Sequence, residues 1–165
     1  MSKRKRMMYF LLPPIGLMFF GITIYAFSPI LYNNTVDEPV IDFTSIQKDD
    51  TVTLLANGTF KDFDNRHKGS GDFQIIKTSE GIFLQLTNFK ATNGPNLKLW
   101  VSEYQNPTDS KVVKNTPYVS LGKLKGNIGN QSYKLPDDFN IESYHSVIVY
   151  CKLFRVMFTT AEINK

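Results

Sequence analysis

One cysteine and two histidines are the residues of this chain whose chemistry goes beyond packing. Cys151 ends the apolar run Val147-Ile148-Val149-Tyr150. A lone cysteine cannot close an intramolecular disulfide, so it is a packed thiol, an intermolecular bridge or a ligand. On a strand it would share a face with Val147 and Val149, and apolar burial makes a thiol inert. Without a resolving partner, reversible dithiol chemistry within one chain is excluded. Single-electron work would need a metal or haem held by the thiolate. His67 lies in the polar stretch Asn65-Arg66-His67-Lys68-Gly69-Ser70-Gly71. It offers an imidazole ligand or a proton relay, against the commoner role of a hydrogen bond that fixes a turn. His145 stands just ahead of the Cys151 run. Two histidines and one cysteine fall short of a closed zinc site unless carboxylates complete it, and no Cys-x-x-Cys-His haem attachment occurs. Haem or metal is compatible with Cys151 and His67, and the residues identify neither.

Other motifs carry less. Gly69-Ser70-Gly71 is not a nucleophile elbow, because Lys68 stands where a glycine is required. Gly122 to Gln131 is glycine-rich but lacks the phosphate-loop lysine-serine pair and opens no helix, so it reads as a turn-rich loop. No pair of carboxylates stands out as an acid-base couple, and no hydrolase or transferase motif is present. Trp100 alternates with core residues, a pattern that suits packing against a sheet more than ligand stacking. Sequons begin at Asn33, Asn57 and Asn130.

The elements that must hold these residues read as strands. Apolar residues fall at a period of two between turn residues: Val52, Leu54 and Ala56; Phe73 to Ile76; Ile82, Leu84 and Leu86; Leu97, Leu99 and Val101. Tyr118 to Leu121, Gln131 to Leu135, Ser146 to Cys151 and Leu153 to Phe158 complete the set. Asn93-Gly94-Pro95-Asn96 is a turn that suits an antiparallel connection between its flanking runs. No segment of this body shows a helical period. The fold expected is all-β, an antiparallel β-sandwich of about eight or nine strands, preceded by one N-terminal transmembrane helix.

That helix is read from Met7 to Phe27, 21 residues without a charge, behind the basic cluster Lys3-Arg4-Lys5-Arg6. At about 1.5 Å per residue the run crosses a hydrocarbon core of roughly 30 Å. The basic cluster keeps the N-terminus cytoplasmic. A cleavable signal peptide is the competing reading, but its best site, Ala26-Phe27-Ser28, puts Pro29 just after the cut. The organisation expected is a tail at 1–6, a signal-anchor at 7–32, a tether and first strand at 33–48 and a sandwich domain at 49–165. The chain would be a single-pass cell-membrane protein with its C-terminal domain outside, its partners the membrane and another surface or redox protein. The net charge of +4 is misleading, because four of the 19 basic residues lie in the first six positions. The other 15 balance the 15 acidic residues, and they form no stripe. Nucleic-acid binding is excluded on this distribution.

Several separated blocks of the outer portion resemble one known family. They are Gly58-Thr59-Phe60 with His67, Ser70 and Gly71; Leu84 to Phe89 with Asn93-Gly94-Pro95-Asn96-Leu97; Leu121-Gly122 through Gly126-Asn127, Gly129-Asn130-Gln131 and Tyr133; and Tyr144, Ser146-Val147 and Cys151 through Phe154. In this order they resemble the DM13 domain, often found beside DOMON domains in cell-surface proteins, over about Gly58 to Ala161. The chain departs from the family pattern at Asn96 (aspartate is more usual), at Tyr150 (tryptophan) and at Thr159-Thr160 (glycine). The resemblance implies electron transfer or redox chemistry at the cell surface, with Cys151 as its centre. A non-catalytic binding or structural module at the surface is the alternative.

Overall fold

The period-two runs become nine strands in a computed structural model that describes residue 21, residues 32–40 and residues 52–165. The first sheet has the order β1 (Thr53–Thr59), β3 (Gly69–Thr78), β4 (Gly81–Ala91), β7 (Ile128–Lys134). The second has the order β2 (Lys61–Asp62), β9 (Val156–Glu162), β8 (Ser146–Cys151), β5 (Leu97–Ser102), β6 (Tyr118–Lys123). All named pairings are antiparallel. The inner faces meet in one core that takes Leu84 and Leu86 from β4, Leu97, Leu99 and Val101 from β5, and Val147 and Val149 from β8. The alternation read at Ile82 to Leu86 and at Leu97 to Val101 therefore points inward as expected. Each such aliphatic side chain, fully buried, contributes about 1.5–3 kcal/mol of transfer free energy. Phe60 sets its ring at a steep angle to both Phe73 and Phe89 and closes one end of the core.

The structure corrects the expected fold in five places. The body is not purely β, since α1 (Ser110–Asn115) follows β5. Six residues are too few to show a helical period, but the start signal is present: Asp109 caps α1 by accepting from the Lys111 N–H at 2.7 Å. Buried Val113 of α1 covers Trp100, Ile148, Tyr150 and Met157, so the outer face of the second sheet carries a small core of its own. A bulge between Leu54 and Ala56 breaks the alternation of β1, leaving Leu54 exposed and packing Leu55 instead. The Asn93–Asn96 turn does not close a hairpin: β4 and β5 lie in different sheets, so the turn crosses the sandwich. Leu153 and Phe154 belong to the β8–β9 turn, exposed at its tip, and not to a strand.

The transmembrane helix is the fifth correction. Among the described residues no helix is long and apolar enough to cross a membrane, and α1 has only six residues. The run on which that helix was expected lies outside the described residues apart from Gly21, which is helical.

The stretch read as a polar tether has a defined seat. Residues 34–38 run parallel to β7, with Val36 N–H donating to Ile128 O at 2.9 Å and Glu38 N–H to Asn130 O at 3.0 Å. The glycine loop makes this approach possible. A Cβ on Gly129 would overlap the Val36 carbonyl oxygen, and Gly129 has φ +102°, a conformation natural only to glycine. Lys125 Nζ then reaches both Glu38 carboxylate oxygens at 2.8 Å.

Candidate functional site

Cys151 is fully buried at the end of β8, on the same inner face as Val147 and Val149. Its strand partners are Leu97 of β5 and Val156 of β9. The Sγ–H donates to the Pro95 carbonyl at 3.0 Å, which ties the thiol to the turn that crosses between the sheets. The backbone is tied on both sides, with Arg155 N–H donating to Cys151 O at 2.8 Å and Lys152 N–H to Asn96 O at 3.3 Å. Arg155 at φ +56° and Asn96 at φ +58° close these two turns. Gly94 fits beneath Phe158, whose ring would lie 2.6 Å from a Cβ at that position. Pro95 is therefore positioned by packing on one side and by the thiol on the other.

His67 sits in the turn between β2 and β3. Its Nδ1 is 2.8 Å from Asp64 Oδ2, and its ring lies against Phe158 with centroids 4.5 Å apart. Asp64 Oδ1 accepts from the N–H groups of Arg66 and His67, both at 2.7 Å. The His67 side chain first, then its backbone N–H, pulls the Asp64 carboxyl from 3.8 down to about 2. The folded value is the depressed one, so this contribution is complete above about pH 4 and is lost as pH falls through about 2. The Arg66 and His67 amide proton resonances should move with that titration, and Asp64→Asn should abolish the movement.

The structure thus places Cys151 and His67 in separate settings: the thiol faces Pro95 and the imidazole faces Asp64 and Phe158. Among the described residues no group of three or more His, Cys, Asp or Glu side chains could hold a metal ion. A thiolate-held metal or haem does not fit a Sγ that is sealed from solvent and donating its proton to a carbonyl. His145 lends its backbone, accepting at O from Ile163 N–H and donating N–H to Ser102 O.

Two arrangements escaped the sequence reading. The first is a stack of three rings on the outer face of the second sheet. Trp100 pairs with Ser120 of β6 and Ile148 of β8, so Tyr118 and Tyr150, each two residues further along, are its diagonal neighbours. The rings of Tyr118 and Trp100 lie 4.0 Å apart and those of Trp100 and Tyr150 4.3 Å apart, tilted by only 16° and 18°. Tyr150 also lines a cleft of about 450 Å³ with Lys111, Lys114, Phe154 and Arg155. Burial pushes the Tyr150 phenol up, while the charge of Arg155 pulls the other way. The parity of three aromatics on neighbouring strands is the signal, but it becomes readable only once the register is known.

The second is a buried polar network beneath the glycine loop. Gln131 Oε1 accepts from Gly126 N–H at 3.0 Å and from Tyr133 OH at 2.7 Å, while its Nε2 donates to Gly126 O at 2.9 Å. The Lys125 N–H donates to the same Tyr133 hydroxyl at 2.9 Å. Burial holds the Tyr133 phenol at about 12. Asn127 joins this loop to the tether, its Oδ1 accepting from Asn34 N–H at 2.7 Å.

Fold and site together define a two-sheet β-sandwich that seals a single thiol against a cross-over turn. The model of one family, described as electron transfer DM13, matches residues 59–163, and the chain belongs to the DM13 family. No curated protein and no solved structure matches the chain.

Proposed function

We propose that the chain is an electron-transfer module, with Cys151 as its one-electron centre. Electron transfer is supported by the family to which the chain belongs. The observation that carries the assignment is the sealed position of the only thiol. A fully buried Sγ cannot exchange disulfides or climb the stepwise oxidation ladder, both of which need access. An electron needs no such contact. Without ligand partners, the thiol itself gives up the electron, and the Pro95 carbonyl that holds its proton is no base. The electron passes to a redox protein at the surface, the proton has to cross the Pro95 turn to reach solvent, and a thiyl radical stays behind until an electron and a proton return.

A second reading is favoured by the same burial. Cys151 sits where a small hydrophobe would, among Val147, Val149 and Leu97. On that reading the domain is a non-catalytic binding module, with exposed Leu153 and Phe154 at the β8–β9 tip as its contact surface. Cys151→Ser distinguishes the two. The change leaves a hydroxyl in an apolar site and should destabilise by about 1–3 kcal/mol on either reading. Only the redox reading requires the substitution to remove an electron from the oxidative titration of the full chain. An unchanged electron count in a folded serine variant leaves the binding module.

A further inference from the structure

Three rings in contact run from the surface of the second sheet to the residue beside Cys151, and we propose that Tyr118, Trp100 and Tyr150 carry single electrons between a surface partner and the thiol. The inference rests on the electron-transfer reading above. Parallel stacking occurs elsewhere, between Phe139 and Tyr144, and alone would mean only packing. What sets this stack apart is that all three rings are oxidisable and that they form one unbroken series, exposed at Tyr118 and lining a cleft at Tyr150. Tyr118 is 39% exposed, whereas Trp100 and Tyr150 are 4% and 2% exposed. At centroid distances of 4.0 and 4.3 Å the π faces touch. A cation is attracted to the face of an aromatic ring, so a positive charge on the central indole is stabilised from both sides. At the other end Tyr150 shares a peptide bond with Cys151, while its ring lines the cleft of Lys111, Lys114 and Arg155. Among the described residues Thr160 Oγ1 is the only buried side-chain oxygen or nitrogen without a partner. The Tyr150 hydroxyl, which has no hydrogen-bond partner in the fold, therefore meets the water of that cleft.

A one-electron oxidant on the partner, a metal centre or an organic radical, takes one electron from Trp100 through Tyr118 and leaves an indole radical cation. Tyr150 refills the indole and releases its phenolic proton to the cleft water. Cys151 then returns an electron to Tyr150, which regains a proton from water, and the thiol proton passes to solvent. The net change is one electron and one proton lost from Cys151.

The chain has a single tryptophan, so an indolyl radical belongs to Trp100 without ambiguity. The full chain would be oxidised by a photogenerated ruthenium(III) tris-bipyridine complex and followed by transient absorption. The expected result is an indolyl signal that decays as a phenoxyl signal grows. Tyr150→Phe keeps the ring and removes the phenolic proton, and should lengthen the indolyl lifetime at least about tenfold, a barrier change of about 1.4 kcal/mol. Tyr118→Phe should slow formation of the indolyl radical. An indolyl lifetime unchanged in a Tyr150→Phe chain with native near-ultraviolet circular dichroism overturns the route. Cys151→Ser separates the two proposals: a normal indolyl-to-phenoxyl handover with an unaltered phenoxyl decay keeps the ring route and removes the thiol as its end. A lost electron count in Cys151→Ser together with a decay indifferent to Tyr150 keeps the thiol and removes the rings.

Discussion

Replacing Gly129 by alanine is expected to free residues 34–38 from β7 while the sandwich itself stays folded. The new methyl group would overlap the Val36 carbonyl oxygen, a backbone atom that can give way only if the whole segment moves. Undocking forfeits the hydrogen bonds of Val36 and Glu38 to β7 and that of Ile128 N–H to Asn34 O. At about 1 kcal/mol each, these three are worth roughly 3 kcal/mol. Alanine at the φ of +102° adds about 1–2 kcal/mol of backbone strain. The expected loss is therefore about 4 kcal/mol, capped because detachment relieves the clash. Proteolysis between residues 32 and 40 should become fast in the variant and remain slow in the parent. A tether equally protected in both would refute this reading of the glycine.

Gln131→Leu is the second large effect. Leucine matches the volume of glutamine but leaves the Gly126 N–H and C=O and the Tyr133 hydroxyl short of a partner in a site that excludes water. Each orphaned group costs about 1–3 kcal/mol, so a loss of about 3–5 kcal/mol is expected after partial relaxation. The urea unfolding midpoint measures it, and an unchanged midpoint would mean that the network contributes specificity and no stability.

These two residues show where the sequence is legible and where it is not. Gly129 and Gln131 stand out as part of a glycine-rich loop, yet nothing local says that the loop receives residues 34–38 from more than 90 positions away. The core is different. Ile82 to Leu86 and Leu97 to Val101 alternate because one face of each strand must be buried, and that constraint is written into consecutive residues. The inward parity of Cys151 with Val147 and Val149 is readable for the same reason. The bulge at Leu54 is not, because it adds one residue without changing composition. Nor is α1, whose brevity hides its period, or the covered outer face that makes Trp100 a buried residue. The Asn93–Asn96 turn is legible as a turn but not as a cross-over, since turn residues encode a change of direction and not the sheet in which the next strand will pair. The pairing of His67 with Asp64 is local and legible, whereas the separate surroundings of His67 and Cys151 depend on the packing of Phe158 and the Pro95 turn.

The proposed centre makes one demand that no packing role shares: the electron and the Cys151 proton leave together. The most direct measurement is the midpoint potential of the full chain against pH, in the parent and in Cys151→Ser. A one-electron wave that falls by about 59 mV per pH unit in the parent, and is missing from a folded serine variant, is the expected result. The same wave in both proteins, or none in the parent, would contradict a redox role for Cys151.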